Sequence, residues 1–136
     1  MRIVAGFLRS PEGKAALDRA VEETRRSGGE LLVIHSMRGG TRDELKEVIE
    51  YREEFERLGE RLEGEGITYR LVEYARGQSP AQDLIDAAEE HEADLIVIGV
   101  RQRSPVGKLV LGSNAQEVLL QARCDVLAVK PGSDTD

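Results

Sequence analysis

Tryptophan is absent from this chain, and aromatic residues make up only 4% of it. Its core must therefore be built from Leu, Ile, Val and Ala. Cysteine occurs once, at Cys124, which excludes an internal disulfide and suits a reducing compartment. Histidine occurs only at His35 and His91, far apart, so with one cysteine no metal-ligand cluster is readable. No apolar run approaches the roughly 20 residues of a membrane span. The start lacks a basic segment followed by an apolar one, so no secretory leader is expected and a cytoplasmic location is. Positive charge is also scarce: 19 Lys and Arg stand against 26 Asp and Glu, a net charge of -7. A chain so short of cations offers no basic face to nucleic acid.

What remains describes one globular domain. The chain has 136 residues, 40% hydrophobic and 33% charged, enough for a single core and too apolar for disorder. Apolar runs at residues 2–7, 30–36, 68–74, 94–98 and 125–130 read as strands. Four of them are nearly continuous in apolar residues, as in parallel strands covered on both faces by helices. The run at 68–74 alternates, with Tyr69, Leu71 and Glu73 against Thr68, Arg70 and Val72, and so belongs nearer an edge.

Helical stripes of period 3.6 lie between the runs. The first contains Leu17, Ala20, Val21 and Thr24. The second contains Leu45, Val48, Ile49, Phe55, Leu58 and Leu62. The third contains Ala81, Leu84, Ile85 and Ala88, and the fourth Ala115, Val118, Leu119 and Ala122. Thr41 with Glu44, Ser79 with Gln82 and Ser113 with Gln116 fit the capping box. Ser10-Pro11 and Ser79-Pro80 place proline at a first helical position. Gly28-Gly29 and Gly64 mark helix ends. The order is β-α-β-α-β-α-β-α-β. It implies right-handed crossovers and a single doubly wound, Rossmann-like α/β sandwich over residues 1–131, with a five-stranded parallel sheet and helices on both faces. Residues 132–136 form a short acidic tail. In such folds a ligand sits beyond the carboxyl ends of the strands where strand order reverses, and the loops at 8–12 and 99–112 are the pair that would flank it.

Several nucleotide motifs fail. A G-x-G-x-x-G fingerprint after the first strand is not met by Gly6-Phe7-Leu8-Arg9-Ser10-Pro11. Gly107-Lys108 suggests a Walker A loop, but Gln102 replaces its first glycine and Leu109 its Ser/Thr. Ser27-Gly28-Gly29 ends a helix instead of following the first strand, so it reads as a C-cap and not as a pyrophosphatase loop. A phospho-acceptor receiver would need acidic residues where Leu8, Arg9, Ala75 and Arg76 stand. No nucleophile, base and orienting group are placed together either.

The informative stretch is Gly99 to Asn114, GVRQRSPVGKLVLGSN, between a buried strand and a short helix. Free N–H groups and the helix dipole there favour an anion. With Ile3-Val4-Ala5-Gly6-Phe7, Ser10-Pro11-Glu12-Gly13, Ala93 to Gly99 and Val126 to Pro131, this stretch resembles the universal stress protein family over nearly the whole chain. The family signature is G-x2-G-x9-G-[ST]. Gly99, Gly112 and Ser113 match it, and Gln102 replaces its middle glycine. The resemblance implies an adenine nucleotide such as ATP, with Mg2+ accompanying it, and no defined turnover. Phosphates would meet Gly99, Arg101 and Gln102 on one side and Gly112, Ser113 and Asn114 on the other, with charge from Arg101 and Arg103. Adenine would lie near Phe7, Leu8 and Ser36. Leu8 stands where nucleotide-binding members carry Asp. The resemblance also implies a homodimer through the fifth strand, Val126-Leu127-Ala128-Val129, whose bare edge pairing would cover.

Structural readings stand beside these. Gly99 can serve a sharp turn, Ser113 a helix cap, Arg101 and Arg103 solvated loop charge, and Cys124 a small packing residue. His35 reads as a satisfied core or rim histidine and His91 as helix surface. Two other functions stay open: a nucleotide-free homodimeric interaction protein of the same fold, and a weak ATP hydrolase.

Overall fold

The computed structural model describes residues 1–37, 42–101 and 111–131, the side chains of 42–48 aside. Within them the apolar runs become strands β1 (Arg2–Gly6), β2 (Glu30–Ser36), β3 (Thr68–Tyr74), β4 (Leu95–Gly99) and β5 (Asp125–Val129). The helices are α1 (Pro11–Ser27), α2 (Arg42–Gly64), α3 (Pro80–Glu90) and α4 (Ser113–Gln121). All strand pairs are parallel, in the order β3-β2-β1-β4-β5. The alternating strand, β3, is an edge, as its pattern implied.

Local chemistry explains the helix limits. Ser10 and Ser79 take extended backbone and accept from the N–H groups of Gly13 and Gln82, both at 3.1 Å, with proline next in line. α1 ends on Gly28 at φ 66°, where its N–H bonds Thr24. α2 ends at Gly64, the glycine that marked its end, and a turn through Gly66 seals it. Gly66 takes φ 73°, its N–H meets the carbonyl of Glu63 at 3.1 Å, and the N–H of Ile67 meets Leu62 at 3.0 Å. This paired termination brings Ile67 onto Leu62 in the core.

The pleat divides the core in two. Ile3, Ala5, Leu31, Val33 and Val97 face α1 and α2, meeting Leu17, Ala20, Val21, Phe55 and Leu62. Val4, Leu32, Ile34, Ile96 and Ile98 face α3 and α4, meeting Leu84, Ile85, Ala88 and Val118. Two stripe residues are not buried as expected. Ile49 is 56% exposed and Leu119 43% exposed. At roughly 3.6 residues per turn Ile49 lies about 120° around α2 from Phe55. Leu119 sits on a helix of nine residues whose buried line is only Ala115 and Val118. Leu45, Val48, Thr41 and the tail lie outside the described side chains.

Candidate functional site

β1 and β4 are neighbours, and the chain leaves them in opposite directions, toward β2 and β3 on one side and β5 on the other. The connections above their carboxyl ends therefore diverge and open a crevice. Glycine decides how tightly it is walled. A Cβ on Gly99 would overlap the carbonyl of Glu12 in the first turn of α1, and a Cβ on Gly13 would collide with Leu8. α1 thus begins pressed onto the end of β4. A cavity of about 70 Å3 remains, bounded by Gly6, Ala16, Val97, Ala81, Leu84 and Val118. Leu8, Gly99 and Asn114 also line it.

Two helix N-termini converge there. At α3 the orphan N–H groups are used: Ser79 caps, Ala81 N–H donates to Asn114 Oδ1 at 3.2 Å, and Ser79 Oγ donates to Glu117 at 3.2 Å. Asn114 and Glu117 of α4 thereby tie the two helices together. At α4 the expected Ser113 box is not formed. Gly112 is the N-cap, at φ -68° and ψ 164°, and makes no side-chain cap bond. Ser113 is already helical, and Gln116 Nε2 donates to the carbonyl of Leu111 at 3.0 Å instead of reaching back to the cap. The first helical bond runs from Gln116 N to Gly112 O at 3.0 Å. The N–H groups of Ser113, Asn114 and Ala115 precede it and have no acceptor among the described residues. Among the described residues, its chain neighbours aside, no atom lies within 4 Å of a Cβ built on Gly112. Neither its backbone nor packing among the described residues requires glycine there.

Charge at the mouth comes from Arg101, whose Nε lies 3.7 Å from the Glu12 carboxylate, with its side chain 67% exposed. Gln102 and Arg103 lie outside the described residues. Among the described residues no group of three His, Cys, Asp or Glu could hold a metal ion. The structure thus brings Leu8, Gly99, Arg101, Gly112, Ser113 and Asn114 around one crevice, and adds Glu12, Gly13, Ala81 and Leu84. Gly13 and Ala81 carried a signal as small residues near helix starts, whereas Glu12 and Leu84 carried none for the site, and only contact between distant elements shows what all four face.

The residues expected near adenine divide. Phe7 continues the β1–β2 ladder through its N–H to Ile34 O at 2.8 Å. Its ring lies on the α2 side, 5.2 Å from Phe55, 5.7 Å from Tyr51 and 6.0 Å from His35. Ser36, the half-buried end of β2, lies one residue past His35 and so on the opposite face. Leu8, 46% exposed, lines the crevice.

His35 is buried, but it is not satisfied. Its ring stacks on Tyr51 at 4.5 Å, Nδ1 has no hydrogen-bond partner among the described residues, and Glu73 Oε2 stands 3.8 Å away. Burial lowers its pKa below the usual 6.5; Glu73 opposes that shift, and Arg9 and Arg52 reinforce it. A lowered histidine pKa means that the folded state resists protonation. Stability is therefore full above pH 6.5 and declines as pH falls below it, until the folded form also titrates. His35→Phe keeps the stack and removes the proton site. Its unfolding midpoint should fall less than the wild type's between about pH 7.5 and 5.5, the window that brackets an ordinary histidine. Equal falls in a calorimetric scan would show that charging of this ring is not linked to folding.

Residues 1–130 match the family model described as "Universal stress protein family". A universal stress protein from Mycolicibacterium smegmatis is 36% identical over 135 residues, covering 95% of this chain and 97% of that one. The solved universal stress protein from Archaeoglobus fulgidus superposes with a TM-score of 0.81 at 37% identity, over 96% of this chain and 98% of that one. A universal stress protein from the same organism, solved in complex with dAMP, gives 0.74 at 32% identity, again over 96% and 98%. With its all-parallel sheet, its split core and these matches over nearly its full length, the chain belongs to the universal stress protein family.

Proposed function

We propose that this chain is a small cytoplasmic stress-response protein that binds an adenine nucleotide in the crevice between β1 and β4 and acts by binding, without turnover. The first turn of α4 carries this reading. Three N–H groups point ahead of the first helical bond, and the N-cap is a glycine that packing does not require. A helix start of that kind accommodates phosphate, and a capping residue without a side chain lets the phosphate approach the backbone. The related protein in complex with dAMP supports the adenine class.

In this reading the phosphates meet Gly112, Ser113 and Asn114 through their N–H groups, with Gly99 and Gln102 opposite and Arg101 and Arg103 adding charge-assisted bonds. The Arg101–Glu12 pair, at 3.7 Å and with Arg101 exposed to solvent, is worth only about 0–1 kcal/mol, so a phosphate can replace Glu12 as partner. Leu8 offers adenine an apolar surface, with Ser36 beside it and Phe7 supporting the strand end from the other face. Mg2+ would arrive on the nucleotide, since no metal cage is built among the described residues. No helix among those residues is long and apolar enough to cross a membrane.

Titration calorimetry with Mg-ATP and with dAMP tests this. Binding near one site per chain is expected. No heat, together with no adenine nucleotide recovered from denatured protein, would overturn it. That result would favour the nucleotide-free interaction protein, which Leu8 favours because it cannot accept from the adenine amino group. Sustained phosphate release would favour the hydrolase.

We also infer that two copies pair through β5. Val100 N–H donates to Val129 O at 2.9 Å, so the peptide groups of Val129 and Leu127 face β4. Those of Val126 and Ala128 alternate with them and face the open edge. Leu120, 83% exposed on the helix leading into β5, adds apolar surface. Ala128→Pro removes an outward N–H and leaves the β4–β5 bonds intact. Light scattering should then find a monomer with near-normal unfolding; a persistent dimer would place the contact elsewhere.

A further inference from the structure

α1 lies over β1 and β4 while α2 lies over β3, so the two helices diverge and leave a groove between them. It encloses about 580 Å3, within the range of small-molecule sites. Its floor is apolar: Phe7, Leu8, Leu17 and Leu58. Its rim is cationic, with Arg9, Lys14, Arg57 and Arg61 against two carboxylates, Asp18 and Glu54. Both carboxylates are already engaged. Glu54 takes Arg9 at 3.1 Å, and Asp18 takes Arg61 at 3.2 Å. Lys14 and Arg57 have no ion-pair partner among the described residues, and both are exposed. Arg9 and Arg61 each hold a second carboxylate, Glu50 at 3.7 Å and Glu65 at 2.9 Å, so in a chain of net charge -7 Lys14 and Arg57 supply the positive charge not held in an ion pair among the described residues, beside the exposed Leu8. It suits a ligand that offers negative charge and apolar surface together.

We infer that this groove is a second binding site, for an amphipathic anion: a small molecule joining an apolar body to a phosphate, sulfonate or carboxylate. The apolar body lies on Leu8, the exposed part of the floor, with half-buried Phe7 beside it and buried Leu17 and Leu58 closing the floor beneath, and it displaces water from Leu8. The anionic end meets Lys14 and Arg57 across the groove, from α1 and α2 respectively. The site is separate from the nucleotide crevice, since Leu8 alone lines both.

The probe is anilinonaphthalene sulfonate, an apolar ring system with one anionic group, titrated by fluorescence into the full chain in saturating Mg-ATP. Saturable binding near one site per chain is expected. Lys14→Glu with Arg57→Glu should weaken it at least tenfold while the unfolding midpoint stays in place, because both side chains are exposed. Should that pair disturb folding, Lys14→Gln with Arg57→Gln removes the charges without reversing them and should still weaken binding severalfold. Dye affinity unchanged in a folded variant would overturn the proposal. So would displacement of the dye by Mg-ATP in proportion to nucleotide occupancy, which would place it in the crevice between β1 and β4.

Discussion

Gly99→Ala is expected to lower the unfolding midpoint by about 10 °C or to prevent folding. Overpacking costs roughly 1–3 kcal/mol, and more where the neighbour cannot give way. The added Cβ would overlap the backbone carbonyl of Glu12, which no rotamer change can move. Relief would require the first turn of α1 to lift off β4. Ser10 caps that turn, and Gly13 holds it against Leu8, so the whole corner would shift. For a domain of this size each kcal/mol displaces the midpoint by about 2–4 °C. Thermal unfolding followed by circular dichroism gives the answer. An unchanged midpoint would mean that α1 is not held against β4 at Gly99. The same substitution would push Glu12 and the first turn of α1 away from β4, so any loss of nucleotide binding here would report a structural effect.

Gly112→Asp is expected to separate the two roles of glycine in the same motif. Asp is among the best N-caps and glycine a weaker one, so stability should hold or rise by a few tenths of a kcal/mol. The backbone is extended at φ -68°, and no atom of the described residues beyond the chain neighbours lies within 4 Å of the new Cβ. The carboxylate would accept from the N–H groups ahead of Gln116 and place negative charge where the phosphates are proposed to sit. Each charge-assisted hydrogen bond is worth about 1.5–3 kcal/mol. Adenine-nucleotide affinity should therefore fall about tenfold or more, at about 1.4 kcal/mol per decade. Calorimetric titration alongside thermal unfolding measures both quantities. Retained affinity with retained fold would place the phosphates away from α4.

These two substitutions mark where sequence reasoning stopped. Gly99 and Gly112 fall in one spaced signature and read alike on the page. In the fold, one lies beneath another helix's backbone and the other meets no packing from the described residues. Ser113 likewise fits a capping box, yet the chain turns into α4 one residue earlier and makes Gly112 the cap. Phe7 stands at the strand end expected near adenine, but the pleat turns its ring toward Phe55 and Tyr51. His35 was expected to be satisfied, because the absence of a partner for Nδ1 depends on what β3 and α2 bring beside it.

The elements and their order were written in the chain alone. Periods of two and 3.6, serine before proline and glycine after a helix act through neighbours a few residues apart, and each produced the element it signalled. The edge position of β3 was legible for a related reason: a strand covered unevenly can alternate, and one buried on both faces cannot. Tertiary structure alone decided which face each strand end presents, that α1 presses on Gly99, and that α1 and α2 leave a cationic groove between them. Those outcomes depend on groups dozens of residues apart meeting at atomic distance, which no local pattern specifies.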